Sequence, residues 1–323
     1  MTQISAWPIE SLMLYCVVFQ ANQPEVSLNT LLSQLNNTPG IDAAQPSQLF
    51  IGMTQRVNEA ANFQHEQEYD DPLFELQYGE YREQLQRMHQ ISKGAVVRVG
   101  VVDSSVDHKH PDLLGQITRQ YNLAGERNAN HYEHGTAITG VIGAAEDNGE
   151  GVVGLAPSAS IFVYGACRDH AGRSQCDSLS LALAIDQAIT DEVQVLNLSL
   201  AGPVDPLLTR LLDRAIAQQT VVVAARNETN AQRNFPANHQ GVHSVGSDHN
   251  SWFASSEQFS TVAGGGYRVF FGSSVAAAGV SGFATLLRSR HNAALTNTLI
   301  ERTLASHCNP MDVMGSDPLA SCQ

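Results

Sequence analysis

Val96-Val97-Arg98-Val99-Gly100-Val101-Val102-Asp103 is a nearly unbroken β-branched run that ends on a carboxylate. Branching at Cβ favours extended backbone, and a run that stays apolar instead of alternating marks a strand covered on both faces, as in a parallel sheet. Similar runs recur at Ile161–Tyr164, Val193–Leu198 and Val221–Ala225, with helical patterns between them at 135–145, 178–190 and 206–218. Strand alternating with helix predicts an α/β fold, a doubly wound, mostly parallel sheet flanked by helices. Sites in such sheets lie beyond the carboxyl ends of the strands. Asp103 and Asn227 each stand where a strand gives out.

A second stretch sets the other side of that site. Gly272-Ser273-Ser274 is followed by Val275-Ala276-Ala277-Ala278-Gly279-Val280-Ser281-Gly282-Phe283, apolar or small on every side, so a helix here is buried all round. A serine in its first turn sits among unpaired N–H groups at the positive end of the helix dipole, where an oxyanion is stabilised. The simpler role for either serine is a helix cap.

Composition narrows the classes. The 323 residues carry 18 Lys+Arg against 32 Asp+Glu, a formal charge of −14, which argues against a nucleic-acid surface or an anionic membrane patch. Hydrophobic residues make up 43% of the chain, enough for a large core, yet no apolar run reaches the roughly 18 residues of a membrane span. Leu12–Phe19 lacks a basic flank and follows Glu10, so no signal peptide is visible in the chain. Cys167 and Cys176 flank a polar loop, Cys308 and Cys322 share the C-terminal tail, and Cys16 stands apart. Two local disulfides and a spare thiol suit an oxidising compartment, periplasmic or secreted, whereas five reduced thiols would suit the cytoplasm.

Residues 1–53 read as a small α+β unit. It has a strand at Leu12–Phe19, a helix over 26–35 that stops near Pro39-Gly40, and extended chain over 41–51. A unit so small needs a surface to dock on. An acidic linker follows over 54–72, then the main domain over 73–307 with a short helix at 81–91, then a tail over 308–323.

Asp103, His134 in His134-Gly135-Thr136, Asn227 and Ser274 are the types that nucleophilic acyl transfer needs. The serine attacks, the imidazole takes its proton, the carboxylate fixes the tautomer, and a side-chain amide joins a backbone N–H at the oxyanion. Singly, each has an ordinary structural role as a cap or turn former. Their joint order and flanks favour the chemistry.

With these residues in view the chain resembles the subtilisin-like serine proteases, or subtilases. Val101-Val102-Asp103-Ser104-Ser105 with His110-Pro111-Asp112-Leu113 is similar to the family's aspartate motif. His134-Gly135-Thr136 with Gly151-Val152-Val153-Gly154-Leu155-Ala156-Pro157 resembles its histidine motif. Leu196-Asn197-Leu198-Ser199-Leu200-Ala201-Gly202 resembles the segment that pairs with a peptide substrate. Ala224-Ala225-Arg226-Asn227 resembles the oxyanion segment, and Gly272-Ser273-Ser274 the serine motif. The resemblance implies a serine endopeptidase with Asp103, His134 and Ser274 as triad and Asn227 at the oxyanion. It places Ser199, Leu200, Ala201, Gly202, Ala225 and Arg226 along a peptide or protein substrate. It also implies that Thr38-Pro39-Gly40-Ile41 belongs to the closing half of a propeptide, an intramolecular chaperone and inhibitor cut from the domain within 54–72. The sequence is then expected to begin inside that propeptide, with an export signal upstream.

Three departures mark this chain. Ser104-Ser105 replaces the usual hydroxyl-glycine turn, Arg226 replaces a glycine, and Val275–Gly279 replaces the usual residues after the nucleophile. For Arg226 two readings stand open: a surface-pointing arginine with no role, or a side chain that narrows the pocket or favours an acidic residue. No cofactor is required. A structural calcium held by Asp112, Asp147 and Asn148 is an open expectation, set against plain solvated loop carboxylates. Rival readings are a catalytically silent subtilase fold that binds or regulates, and a metal hydrolase built on His108, His110, His131 and His134. The second lacks a His-Glu-x-x-His helix, and no Gly-x-Gly-x-x-Gly follows a strand to bind a dinucleotide.

Overall fold

The computed structural model describes residues 2–20, 27–52, 55–56, 69–125, 132–170, 173–249, 251–305, 308, 310–314 and 318. Most of the expected linker, most of the tail with Cys322, and His131 lie outside them. In chain order the elements are β1 (Thr2–Ile9), β2 (Leu14–Gln20), α1 (Leu28–Asn36), β3 (Leu49–Gly52), β4 (Gln55–Arg56), α2 (Phe74–Tyr78), α3 (Arg82–Ile91), β5 (Arg98–Asp103), β6 (Ile117–Asn122), α4 (Glu133–Gly143), β7 (Ser160–Gly165) and β8 (Cys167–His170). They continue as β9 (Arg173–Asp177), α5 (Ser178–Thr190), β10 (Val195–Leu198), β11 (Leu200–Ala201), α6 (Pro206–Ala217), β12 (Val221–Ala225), β13 (Val242–Val245), β14 (Glu257–Val262), β15 (Gly266–Phe271), α7 (Ser273–Arg288) and α8 (Ala293–Leu304).

The centre is a six-stranded sheet in the order β13-β12-β10-β5-β7-β6, every pair parallel. Side chains of a strand point alternately to its two faces, and two separate cores result. Val99, Val101, Val221, Val223 and Ala225 pack with α4, α7 and α8 on one side. Val102, Leu196, Leu198, Val222 and Ala224 pack with α5 and α6 on the other. That is the doubly wound arrangement the sequence predicts.

All residues of α7 from Ser273 to Leu287 are buried. Its small residues permit this. A Cβ on Gly279 would lie 1.6 Å from the Phe253 carbonyl oxygen, and one on Gly282 would lie 2.6 Å from Leu155 Cβ. Phe283 stacks on Phe253 with ring centroids 4.2 Å apart. Close packing at this helix fixes where its first turn ends up.

The N-terminal unit differs in one element from its sequence reading. Thr2–Ile9 forms a strand paired antiparallel with β2, so the unit is hairpin, helix, strand. Its mixed polarity and Pro8 hid the strand, because proline is tolerated only where no ladder N–H is needed. Within 41–51, only Leu49–Gly52 enters a ladder. The hairpin turn docks on α5, where the backbone N–H groups of Glu10 and Ser11 donate to the Asp186 carboxylate at 3.0 and 2.9 Å. Ile9 is buried with residues of α5 and α6, and Asp42 pairs with Arg210 on α6.

Because the atom facing Gly279 is backbone and cannot swing aside, Gly279→Ala in a Ser274→Ala background should lose at least about 2 kcal/mol of stability. Urea unfolding followed by circular dichroism measures it; an unchanged midpoint would contradict the packing described.

Candidate active site

Asp103 ends β5 at the carboxyl edge of the sheet and is 2% exposed. His134 is the second residue of α4, and its Nδ1 lies 2.7 and 2.8 Å from the two carboxylate oxygens of Asp103. A carboxylate only accepts, so Nδ1 carries a ring proton and donates it to Asp103, which makes Nε2 the lone-pair nitrogen of the neutral ring. Glycine makes the approach feasible: a Cβ on Gly135 would lie 2.5 Å from the Ser104 carbonyl oxygen. Ser104 is the joint. Its Oγ accepts from Gly135 N at 3.0 Å and donates to the Ser105 carbonyl at 3.1 Å, so the departure at 104–105 fastens α4 to the end of β5.

Ser273 and Ser274 open α7 after Gly272, whose φ of 127° is the region that favours glycine. Their hydroxyls part company. Ser273 Oγ donates to the Arg226 carbonyl at 2.8 Å, fixing the helix start to the end of β12. Ser274 Oγ donates to the Ser199 carbonyl at 2.9 Å, and Ser199 Oγ lies 2.9 Å from the Ser274 carbonyl in return. Ser199 immediately precedes β11.

Asn227 follows β12. Its Oδ1 accepts from Thr229 N at 3.1 Å, Thr229 Oγ1 at 2.9 Å and Asn230 N at 3.1 Å, while Nδ2 donates to the Arg233 carbonyl at 3.3 Å. Ala225 is buried at the end of β12. Arg226 turns over Gly246, with its guanidinium bonded to Asp248 and 3.8 Å from Glu228. Two carboxylates of the chain itself therefore answer its charge. Gly202 exchanges backbone hydrogen bonds with Phe235, at 2.7 and 3.0 Å.

A separate four-stranded sheet in the order β11-β3-β9-β8 holds a strand whose pairing sequence reasoning missed. β3 pairs antiparallel with β11 on one side, Leu200 opposite Gly52 and Ala201 opposite Ile51. On its other side it pairs antiparallel with β9, Phe50 opposite Cys176 and Ile51 opposite Gln175. The β8–β9 hairpin is closed by the Cys167–Cys176 disulfide. Phe50 is fully buried against Gly202 and Phe235. Gly52 lies beside the His134 ring: a Cβ there would be 3.2 Å from Nε2. Downstream, β4 pairs antiparallel with β15, Gln55 opposite Phe271 and Arg56 opposite Phe270, one residue before Gly272. Met53 and Thr54, between the two strands, lie outside the described residues. Leu49-Phe50-Ile51 is an apolar run next to a glycine; only the resemblance of Ser199–Gly202 to a substrate-pairing segment could have pointed to it.

The acidic loops differ from their expected grouping. The Asp112 carboxylate accepts from Val152 N at 2.8 Å and Asn148 Nδ2 at 3.1 Å. Asp147 gathers instead with Asp70 and Asp71, their oxygens within 4.8 Å of one another. Burial, with Asp112, Asp147 and Asp70 nearby, pushes the Asp71 carboxyl up to about 7. Among the described residues no histidine joins a metal-sized cluster. His110 is engaged with the Gly266 carbonyl and Asp112 N.

Residues 94–309 match the model of the subtilase family. The chain belongs to the subtilase family. It is a subtilisin-like serine endopeptidase by that membership. It is 32% identical over 241 residues to an intracellular serine protease of Paenibacillus polymyxa, covering 66% of this chain and 73% of that protein. It is 30% identical over 245 residues to thermitase of Thermoactinomyces vulgaris, covering 70% of this subtilase and 87% of that one. Among solved structures, the prenylagaramide maturation protease PagA superposes with a TM-score of 0.57 at 23% identity, covering 74% of this chain and 92% of that one, which shows the fold.

The Gly135 contact generates a test. Gly135→Ala should push α4 off Ser104 and cut kcat/KM on a peptide substrate by about 10²-fold, the size expected for an ångström of misplacement. Kinetics on folded variant, with circular dichroism as control, would show it; wild-type rates would count against the joint.

Proposed function

We propose that this subtilase hydrolyses peptide bonds through an acyl-enzyme on Ser274. His134 Nε2 takes the hydroxyl proton and returns it to the leaving amine, and Asp103 holds the imidazole in the required tautomer. The Ser274 N–H and Asn227 Nδ2 bind the oxyanion. Asn227 Nδ2 carries two protons, Arg233 takes one, and the second is assigned to this role. The observation that carries the reading is the convergence on Gly52. The Asp103-bound imidazole lies against it, and its ladder partner Leu200 follows Ser199, whose carbonyl holds the Ser274 hydroxyl. A silent binding protein would have no need for the Asp103–His134 pair.

The chain also supplies its own first substrate in this reading. Residues 49–52 and 55–56 flank the site as a bound peptide would, and the bond between Met53 and Thr54 is the one to be cut. The N-terminal unit, held on α5 and α6, is the intramolecular inhibitor. The Cys167–Cys176 bridge and the disulfide-bonded Cys308 support an exported enzyme.

Intact mass spectrometry tests both parts. Wild-type protein should yield a fragment starting at Thr54 and should be labelled by a fluorophosphonate probe. Ser274→Ala should stay at full length, unlabelled and folded. An uncut, unlabelled wild type would overturn the reading.

A structural calcium fits Asp70, Asp71 and Asp147. Calcium–oxygen bonds of about 2.3–2.6 Å allow ligand oxygens up to ~5 Å apart, and a cation there would relieve three crowded carboxylates. Millimolar calcium at pH 8 should raise the melting temperature of the Ser274→Ala protein by several degrees. Asp147→Asn should lose most of that gain, and a melting temperature indifferent to calcium and chelator would remove the site.

A further inference from the structure

We propose that this enzyme selects glycine over larger residues at the second residue before the scissile bond, and that Ser174 imposes the selection. The inference rests on the reading of residues 49–56 as a bound substrate and extends it to substrates in general. The class it names is a peptide with an aromatic residue, any residue, glycine, and one further residue before the cut, the pattern Phe50-Ile51-Gly52-Met53.

Three observations carry it. Gly52 has no left-handed φ, so its backbone would admit any residue and the restriction is one of space. A Cβ there would meet Ser174 Cβ at 3.0 Å on one side and His134 Nε2 and Cε1 at 3.2 and 3.3 Å on the other. Neither side yields. The imidazole is held by Asp103. The Ser174 Cβ is set by the backbone of β9, which is paired to β3 and tied to β8 by the Cys167–Cys176 bridge. Ser174 is 4% exposed, and its Oγ has no hydrogen-bond partner among the described residues. Its contact with Gly52 is therefore one of packing. Two residues upstream, Phe50 is enclosed by Gly202, Phe235 and the Cys176 side of β9, which sets the spacing between the aromatic and the glycine. A larger residue in place of Gly52 would press on Nε2, the atom that must take the proton.

The test uses self-processed enzyme, its active sites counted with a fluorophosphonate, and three peptides. These are Leu-Phe-Ile-Gly-Met-Thr-Gln-Arg and the same peptide with alanine or valine replacing glycine. Alanine should lower kcat/KM by about tenfold and valine by about 100-fold, with cleavage after methionine in each case. Ser174→Gly should narrow the glycine-to-alanine ratio severalfold. Cleavage of the alanine peptide within twofold of the glycine peptide would overturn the proposal while leaving the protease reading intact. So would an unchanged ratio in Ser174→Gly, or cleavage at another bond. No labelling and no cleavage of any peptide would instead bring down the protease reading, and this inference with it.

Discussion

A helix with no polar face must be surrounded, and α7 is surrounded by the rest of the molecule. Its burial is possible because glycine and alanine let the Phe253 carbonyl and the Leu155 side chain come against it. That packing fixes the position of its first turn. Gly272 bends the chain into the turn, Ser273 fastens it to the end of β12, and Ser274 is left facing the Ser199 carbonyl. The same logic holds at α4, where Gly135 allows contact with Ser104 and so delivers His134 to Asp103. In both places a residue without a side chain decides where a polar one is presented.

The parallel sheet was legible because its strands are covered on both faces and are therefore written as continuous apolar runs. The positions of Asp103, His134 and Ser274 at element ends were legible for a related reason: each sits at the boundary of such an element, where a polar residue stands out. The strand β1 was not legible, since a two-stranded edge with one face in water alternates and tolerates Pro8. Nor was the entry of 49–52 between β11 and β9, because pairing across some 150 residues leaves no mark in local composition. The grouping of Asp147 with Asp70 and Asp71 was hidden for the same reason. Sequence placed Asp147 with its chain neighbour Asn148; the fold brings residues from some 77 positions upstream instead.

The departures from the family pattern have distinct fates. Ser104 is used as a joint, and Gly279 serves packing. Arg226 is turned aside by Asp248 and Glu228, a local neutralisation that keeps a half-buried cation next to Asn227 from acting as a lone charge.

The attachment of the N-terminal unit to the domain has a kinetic side. Under the proposed inhibition, while 53 and 54 are joined the strand paired to β11 would compete at the high effective concentration of a tethered group, and modest contacts would suffice to keep it seated. Severing that bond turns the same contacts, the two amides on Asp186, the Asp42–Arg210 pair and the β3 ladder, into an ordinary bimolecular association. Occupancy would then depend on how dilute the protein is, so an enzyme inhibited in the proposed way would be self-restrained where it is made in quantity and unmasked where it disperses.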